Sequence, residues 1–308
     1  MSNFKYKITL FTPTYNRAHL LPRLYESVKR QTFKDFEWII VDDGSTDGTE
    51  ELVNNWLKDD NFFPISFYKR KNGGKARAIN FGLDIAQGEL FFIMDSDDYL
   101  TDNALERAVY WEGTLPKNEK FCGVVGNRGN SETYSPNRPL GAEYKDDFAY
   151  IRYPEYTKNY LDGEHAGVWY TEIHRKYKYP EFDGENYMDL CVSWNRMAHD
   201  GYKVRIFDEI IWVWEYMDDG LTKQGTSRYI KNPRQHGLTQ KEKAEFLNYS
   251  LKQKVNMWYT YYCDHSFCEE KYRLTKKQCA EYIGAPYLFI CASAALHKSG
   301  FIKKIIKR

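Results

Sequence analysis

Short β-type runs alternate along the first part of the chain with longer segments of helical periodicity. Four such runs pass abruptly into polar residues: Lys7–Thr12, Phe36–Val41, Ile65–Lys69 and Leu90–Met94. Between the first two, Arg17–Gln31 has apolar residues at the three- and four-residue spacing of one helix face. Uninterrupted apolar runs are typical of strands buried on both faces, and alternation with helices predicts a parallel sheet with right-handed crossovers. A further strand is predicted over Phe121–Gly126.

Acidic residues directly follow two of these predicted strands. Asp42 and Asp43 follow the second run, and Asp95–Asp98 (DSDD) follows the fourth. Ligands of open α/β sheets bind outside the carboxyl ends of the strands, and acids crowded there repel one another unless a cation is present. Because Mg²⁺ and Mn²⁺ prefer hard oxygen ligands, the pattern indicates a metal that bridges the protein and a phosphate-bearing ligand. The alternative is a turn in which Asp97 or Asp98 caps the next predicted helix.

The segment NGGKARAIN has two cations at the start of a predicted helix. Lys75 and Arg77 follow the glycines, and a helix amino terminus with a glycine approach favours anions. Together with the acids, these cations describe a pocket for a nucleotide diphosphate. Neither GxxxxGK[ST] nor GxGxxG occurs in the chain, which argues against a P-loop and a dinucleotide-binding Rossmann site. The alternative for Lys75 is a solvent-exposed charge at the helix start.

Four motifs connect these features in a fixed order. They lie between Ile8 and Asp102 and read TPTYNR, QTFKDFEWIIVDDGSTDGT, NGGKARAINFGL and FFIMDSDDYL. In sequence and spacing this stretch resembles the amino-terminal half of the family 2 glycosyltransferases of GT-A fold. The resemblance implies an α/β protein with a Rossmann-like, mostly parallel central sheet flanked by helices. It also implies inverting transfer from a nucleotide-diphosphate sugar, expected to be a UDP-sugar, with Mn²⁺ or Mg²⁺ as cofactor.

By this resemblance, the DSD of the fourth motif occupies the DXD position of the family. Asp97 would then be the main metal ligand, and Asp95 would face the metal or the ribose, with Ser96 between them at the donor. Lys75 and Arg77 match positions near the diphosphate. These residues are therefore the expected metal and diphosphate contacts.

The first two motifs match positions that hold the base and the ribose. Pro13, Tyr15 and either Asp42 or Asp43 occupy them. The Tyr15 ring would stack on the base, and the acid would accept a hydrogen bond from a uracil N–H. The alternative for Asp42 is a turn residue without contact to a ligand.

The resemblance also implies a general base in the second half of the chain. An acceptor hydroxyl is a poor nucleophile, so inverting enzymes position a carboxylate that removes its proton during the attack. Family members commonly carry a Glu-Asp pair before a helix that ends in Gly-Tyr-Lys. Counting back from Gly201–Lys203 places Asp189 there, although the pair is not intact. We predict Asp189 as the base, with Glu185 as the rival and a helix-start acid as the third interpretation.

The predicted domain division follows the motifs. It comprises a GT-A domain over 1–225, made of a nucleotide-sugar-binding half (1–126) and an acceptor half (127–225), and a helical region over 226–308. Flat aromatic faces suit sugar rings, so Trp169 or Tyr170 could contact a sugar, although most aromatic residues serve packing. The stretch 217–222 resembles the segment that closes the donor site in capsule-type members of the family.

The region after residue 226 has a helical pattern. Its predicted helices are Gln240–Asp264, Thr275–Tyr282 and Ala285–His297. The segment Lys298–Arg308 holds five basic residues and no acid. Its apolar and basic residues fall on opposite faces of a helix, which predicts binding to an anionic membrane surface. At about 1 kcal/mol per basic residue, this attraction is on the order of 5 kcal/mol at most. The alternative is a solvated, frayed segment.

Composition and charge argue against several other classes of protein. A net charge of +1 over 308 residues gives no support for nucleic-acid binding. The amino-terminal residues lack a signal-peptide pattern, and no apolar run reaches the ~20 residues of a membrane span. The six cysteines include no CxxC pair. We therefore expect reduced thiols and a cytoplasmic location, peripheral on the inner face of the cell membrane.

The expected acceptor is a hydroxyl group of a saccharide or lipid-linked saccharide in the synthesis of a surface polysaccharide such as a capsule. The broken Glu-Asp pair leaves open a catalytically silent subunit that binds a nucleotide sugar or serves as a scaffold. A sugar-nucleotide nucleotidyltransferase is the third alternative. It would need a glycine-rich basic loop after the first strand, and TPTYNRAHL contains no glycine.

Overall fold

The structure is a computed structural model that describes residues 4–136, 148–151, 165–215, 225–247 and 249–298. By contacts the chain separates into two compact units. The first comprises Met1–Tyr179 and Arg196–Met217, and the second comprises Pro180–Asn195 and Asp218–Arg308. The segment that carries Glu185 and Asp189 therefore groups with the helical region.

A nine-stranded sheet forms the centre of the first unit in the part that the structure describes. Its strands are β1 (Tyr6–Thr14), β2 (Phe36–Asp42), β3 (Ile65–Lys69), β4 (Gly88–Ile93), β5 (Tyr99–Leu100), β6 (Phe121–Gly129), β7 (Phe148–Ile151), β8 (His165–Tyr170) and β9 (Lys203–Val213). Their order is β3-β2-β1-β4-β8-β6-β9-β5, and β7 pairs with β9. Pairing is parallel from β3 to β4 and between β6 and β9, whereas β8 is antiparallel to both neighbours. The predicted parallel sheet is confirmed in the first four strands, and antiparallel pairing begins after β4.

Helices cover the sheet because its strands are apolar on both faces. Those that lie wholly in the first unit are α1 (Leu21–Lys29), α2 (Thr49–Trp56), α3 (Lys75–Ile85), α4 (Ala104–Gly113) and α5 (Thr171–Lys176). On one face Trp38 and Phe92 join a core cluster with Leu21 of α1. On the other face Phe11 meets α3 at Gly82, where an added Cβ would lie 2.1 Å from a ring carbon of Phe11. The absence of a side chain at Gly82 is what allows α3 to pack this closely.

Strand register brings the candidate residues to one edge of the sheet. Thr14 pairs with Asp42 across β1 and β2, and Asp42 pairs with Lys69 across β2 and β3. Phe11 pairs with Ile93 across β1 and β4. Because these strands run in the same direction, the loops that follow β1, β2 and β4 all leave at their carboxyl edge. This is the edge at which α/β proteins bind ligands.

The second unit is helical in its described part. The helix α6 (Cys191–His199) begins in this unit and ends in the first. The following helices are α7 (Ser227–Lys231), α8 (Pro233–Phe246), α9 (Leu251–Ser266), α10 (Lys276–Ile283) and α11 (Tyr287–Lys298). Trp258, Tyr261, Ile283 and Ile290 form the centre of its core. None of the described helices has the length and apolar character that crossing a bilayer requires.

The helices predicted after residue 226 are confirmed at two of three places. α10 and α11 correspond to Thr275–Tyr282 and Ala285–His297 within a few residues. The continuous helix predicted over Gln240–Asp264 is wrong, because the chain forms α8 and α9 with a break between them. Ser250 caps α9, and its hydroxyl accepts from the Gln253 N–H in a capping box.

Candidate functional site

Acidic residues lie together in the loop after β4. Asp95, Asp97 and Asp98 each offer a carboxylate oxygen, and these oxygens lie within 4.8 Å of one another. Three hard oxygen donors at this spacing fit a divalent ion such as Mg²⁺ or Mn²⁺. Ser96, the remaining residue of the motif, is buried. The structure thus brings the predicted metal ligands together at the edge of the sheet.

Asp98 is bound by residues of β6 and β9. Its Oδ2 atom accepts from Nη2 of Arg128 (2.8 Å) and from Nε1 of Trp212 (2.7 Å), and its Oδ1 atom accepts from the Glu215 main-chain N–H (3.3 Å). The Arg128 guanidinium lies 4.0 Å from the centre of a Trp212 ring. Burial, and then the charge of Asp95, raise the pKa of Asp98 to about 7. Asp98 is therefore tied into the protein, and Asp95 and Asp97 are the better candidates for metal ligands.

Asp97 is tied to the protein through its main chain. Its carbonyl accepts from the guanidinium of Arg23, which also pairs with Glu215. Burial, and then the neighbouring charge of Asp95, raise the pKa of the Asp97 carboxyl. The alternative in which an acid of this loop caps the next helix is wrong, since α4 begins after Asn103 without a side-chain cap. The ionised forms of Asp97 and Asp98 are both destabilised, and a bound cation would relieve this.

Lys75 is the first residue of α3 and pairs with Asp95. Its Nζ atom lies 2.5 Å from Oδ1 of Asp95, and the two side chains are 29% and 26% exposed. Burial raises the pKa of Asp95, but the positive charges of Lys75 and Arg128 outweigh it, so the pKa is lowered. The alternative of a solvent-exposed charge at the helix start is therefore wrong for Lys75.

Asp43 holds the glycine turn that precedes α3. Its two carboxylate oxygens accept from the main-chain N–H groups of Gly73 (2.9 Å) and Gly74 (2.7 Å). Burial raises the pKa of Asp43, and these hydrogen bonds partly offset the effect. Arg77 lies across the same turn, because a Cβ added at Gly73 would be 2.8 Å from its Cδ atom. Asp43 thus positions the turn and the two predicted diphosphate residues.

Asp42 is fully buried at the end of β2. Its Oδ1 atom accepts from the N–H (2.8 Å) and the hydroxyl (2.5 Å) of Ser45. Its Oδ2 atom has no hydrogen-bond partner among the described residues, and neither has Oγ1 of the adjacent Thr14. A buried polar atom without a partner costs about 1–3 kcal/mol. A ligand N–H that reached Oδ2 would relieve this cost. The alternative role of Asp42 as a turn residue does not explain the unpaired Oδ2 atom.

The loops after β1 and β2 are hydrogen-bonded to each other. The Asn16 N–H donates to Oγ of Ser45 (2.8 Å), and the Asn16 side-chain oxygen accepts from the Thr46 N–H (2.9 Å). Tyr15 lies in this stretch with 48% of its surface exposed, whereas Pro13 is buried. The exposed ring of Tyr15 is therefore open to stacking, and Pro13 shapes the strand end.

Glu185 lies at the amino terminus of α8 in the second unit. Its Oε1 atom accepts from the main-chain N–H (3.0 Å) and Nε (2.9 Å) of Arg234, and its Oε2 atom accepts from the Gln235 N–H (2.9 Å). The carboxylate satisfies main-chain donors that a helix start otherwise leaves unpaired, and its charge is favourable there. These contacts favour a structural role for Glu185 over that of a general base.

Asp189 precedes α6 and is half-buried. The hydroxyl of Tyr187 donates to its Oδ1 atom (2.6 Å). Burial, and then the charge of Asp189, raise the pKa of Tyr187, so the phenol keeps its proton and remains a donor. Arg228 lies 5.2 Å from the centre of the Tyr187 ring. One carboxylate oxygen of Asp189 is thus oriented by Tyr187.

Some of these contacts were missed by reasoning from the sequence. Arg128 and Trp212 hold Asp98, and Tyr187 orients Asp189. The signal for Arg128 is an arginine near the end of a fully buried strand, where it is 8% exposed. Trp212 and Tyr187 carry no comparable signal, because aromatic residues are common in cores.

The aromatic residues proposed for sugar contact serve packing. Trp169 is buried in β8, and the hydroxyl of Tyr170 donates to Glu112 (2.7 Å). We therefore assign neither residue to a sugar. The stretch 217–222 and the basic segment beyond residue 298 lie outside the described residues.

The fold, with acids at the carboxyl edge of its parallel strands, defines an α/β protein of the GT-A type. The profile of the family described as Glycosyl transferase family 2 matches residues 9–171, which is more than half of the chain. The chain belongs to this family. The resemblance of the four motifs is thereby confirmed.

Curated relatives match between about a third and two fifths of the chain. The GalNAc(5)-diNAcBac-PP-undecaprenol beta-1,3-glucosyltransferase of Campylobacter jejuni is 38% identical over 125 residues, which is 39% of this chain and 38% of the relative. The matches to the first curated relatives span between a third and a half of those proteins' lengths.

Solved structures share the fold over nearly the whole chain. TarS 1-349 of S. aureus in complex with UDP-GlcNAc has a TM-score of 0.58 at 15% identity and covers 96% of this chain and 92% of its own. The mannosyltransferase PcManGT of Pyrobaculum calidifontis in complex with GDP-Man and Mn²⁺ has a TM-score of 0.54 at 18% identity and covers 96% and 76%. At these identities the likeness shows the fold alone.

Proposed function

We propose that the chain is an inverting glycosyltransferase that moves a sugar from a UDP-sugar to a hydroxyl of a saccharide or lipid-linked saccharide. The observation that carries this proposal is the cluster of Asp95, Asp97 and Asp98 at the carboxyl edge of parallel strands, with Lys75 beside it. Family membership supports the reaction class. Complexes of structural neighbours with UDP-GlcNAc and GDP-Man support a nucleotide-sugar donor.

The donor base would bind at the ends of β1 and β2. Oδ2 of Asp42 would accept a uracil N–H, which would pair an oxygen that has no partner among the described residues. The exposed ring of Tyr15 would stack on the base. Pro13 would shape this wall, and Asp43 would keep the glycine turn in place for the diphosphate.

The diphosphate would bind between the acids and the start of α3. Asp97 and Asp95 would hold Mn²⁺ or Mg²⁺, which when bound supplies positive charge against the oxygens of the leaving nucleotide. The complex of PcManGT with Mn²⁺ supports a divalent ion in this fold. Lys75 and Arg77 add two cations at a helix amino terminus, where anions bind favourably.

Asp189 would act as the general base. It would take the proton of the acceptor hydroxyl as that oxygen attacks the anomeric carbon, and UDP would leave on the opposite face. The hydrogen bond from Tyr187 would fix the orientation of one Asp189 oxygen. Glu185, whose oxygens accept from the start of α8, would serve the structure instead.

The biological setting we propose is surface polysaccharide synthesis, capsule included, on the inner face of the cell membrane. The name of the Campylobacter relative contains an undecaprenol diphosphate, which supports a lipid-linked acceptor. The basic segment Lys298–Arg308 would attract anionic lipid.

The test is turnover of radiolabelled UDP-sugars with Mn²⁺ and membrane extract. We expect the wild type to release UDP and label the extract, and Asp97→Ala and Asp189→Asn to lose both activities. Donor binding without turnover in the wild type would favour the silent subunit. One observation speaks for that alternative, because the Glu-Asp pair of the family is not intact and Asp189 and Leu190 stand in its place.

A further inference from the structure

The helix α11 exposes an uninterrupted apolar face. Its outer residues recur at three- and four-residue spacing and are Tyr287, Leu288, Cys291, Ala292, Ala295 and Leu296. Leu288 is 81% exposed, Tyr287 is 51% exposed and Leu296 is 45% exposed. The sequence from 287 to 296, YLFICASAAL, contains no charged residue. We call these six residues the outer face of α11.

The inner side of the same helix packs into the core of the second unit. Ile290 is fully buried, and Phe289 packs with Trp258 at a ring distance of 5.8 Å. Single exposed apolar residues are common on protein surfaces, whereas a contiguous exposed apolar stripe marks an interaction site. The outer face of α11 is therefore a surface that a partner covers.

The charges that follow the helix identify the partner. The residues from Lys298 onward hold five cations and no acid. An apolar stripe that is followed in the sequence by cations suits an anionic lipid surface, which takes up apolar side chains and attracts basic ones. The helix has 12 residues and is much shorter than the ~20 residues of a membrane span. Its geometry suits a position in the plane of the interface.

We propose that the outer face of α11 docks on an anionic lipid bilayer. The proposal deepens the proposed function, on which its biological purpose rests, since docking would bring the enzyme to lipid-linked acceptors. The outer face of α11 precedes the basic segment in the sequence. It would therefore be a second membrane contact, in addition to the one expected from Lys298–Arg308.

The experiment is co-sedimentation of the full chain with vesicles of phosphatidylcholine, with and without phosphatidylglycerol. We expect binding to the anionic vesicles, and a decrease of about tenfold or more in the partition coefficient for the Leu288→Glu/Leu296→Glu variant. Leu251→Glu is the matched control, because Leu251 is 71% exposed in the same unit and lies on α9. It should bind within about twofold of the wild type. Ala292→Leu should bind severalfold more tightly.

Three results would overturn the proposal. They are absent binding of the wild type to anionic vesicles, unchanged binding of the double variant, and equal loss in Leu251→Glu. If light scattering shows a wild-type dimer that the double variant dissociates, while vesicle binding is unchanged, the face binds a second copy. If the double variant unfolds in a thermal melt, Ala292→Leu remains the test. Vesicle binding that this variant does not strengthen would then overturn the proposal. Turnover of UDP-sugars with Mn²⁺, measured separately, tests sugar transfer, so either idea can fail without the other.

Discussion

The ammonium group of Lys75 lies 2.5 Å from the Asp95 carboxylate, so a helix-start cation and the first acid of the DSDD sequence neutralise each other. A divalent ion that binds Asp95 competes with Lys75, and a diphosphate that binds Lys75 competes with Asp95. We expect the pair to open when both ligands arrive together. Metal binding and donor binding are thereby linked through one ion pair.

Replacing Lys75 with methionine should separate these two effects. Mn²⁺ alone should bind more tightly, because Asp95 loses a competing cation. UDP in the presence of Mn²⁺ should bind about tenfold more weakly, because the diphosphate loses a charge partner. Isothermal titration calorimetry measures both affinities. Lys71→Met, an exposed lysine of the same loop, should change neither, and unchanged Mn²⁺ affinity in Lys75→Met would refute the competition.

Asp42→Asn should weaken UDP binding without weakening the fold. The asparagine oxygen can still accept from Ser45, but its amide would then put a donor where Oδ2 stood and meet the base N–H. We expect a loss of about tenfold in UDP affinity, which corresponds to about 1.4 kcal/mol. The unfolding midpoint should stay level or rise, since a buried acid with an unpaired oxygen is removed. Unchanged UDP affinity would mean that Asp42 is a turn residue only.

The two candidate bases should respond differently to loss of their charge. Asp189→Asn should lower the turnover number about 100-fold or more with the donor KM unchanged, because proton removal fails after binding. Glu185→Gln should destabilise the fold by about 1–3 kcal/mol, because main-chain donors at α8 lose a charged acceptor. The folded fraction of that variant should keep its turnover number. The reverse outcome in paired kinetics and urea denaturation would make Glu185 the base.

Buried His174 should make stability depend on pH. Burial lowers the pKa of His174 to about 3, from 6.5 when exposed. The unfolded state therefore binds one more proton between these values. The contribution of neutral His174 to the free energy of unfolding is fully present above pH 6.5. Below that pH it is lost by about 1.4 kcal/mol per pH unit. Urea denaturation should show a smaller loss in His174→Gln than in the wild type, because buried His236 and His265, whose pKa values are also lowered, still contribute.

The control for His174 is His19→Gln, since His19 is exposed on the surface of the same unit. Its urea curve should shift with pH as the wild type does. Parallel shifts of the wild type and His174→Gln between pH 6.5 and ~4.5 would show that His174 does not set the acid sensitivity.

The sheet edge could be predicted from the sequence because its signals are local. The acids of DSDD directly follow a buried strand, so their position at a carboxyl end follows from the apolar run itself. The partners of Asp98 are 30 and 114 residues away, at Arg128 and Trp212. Their arrival depends on the register of β6 and β9, which no short pattern reveals.

In the second unit, too, the partners of an acidic residue could not be predicted from the sequence. Glu185 occupies a position that suits a base, yet its partners at Arg234 and Gln235 come from a helix about 50 residues further on. The break between α8 and α9, by contrast, has a local signal in the sequence. Ser250 and Gln253 have the spacing of a capping box, but the long apolar periodicity concealed it.

The most direct test of the account is the affinity of UDP with and without Mn²⁺, measured by calorimetry for the wild type, Asp97→Asn and Asp102→Asn. Asp102 is the matched acid, because it is exposed near the same loop and pairs with Arg30. We predict that Mn²⁺ strengthens UDP binding about tenfold or more in the wild type and in Asp102→Asn, and that Asp97→Asn loses this gain. A wild type that binds UDP equally well without Mn²⁺, or an Asp97→Asn variant that keeps the gain, would contradict the role given to these acids.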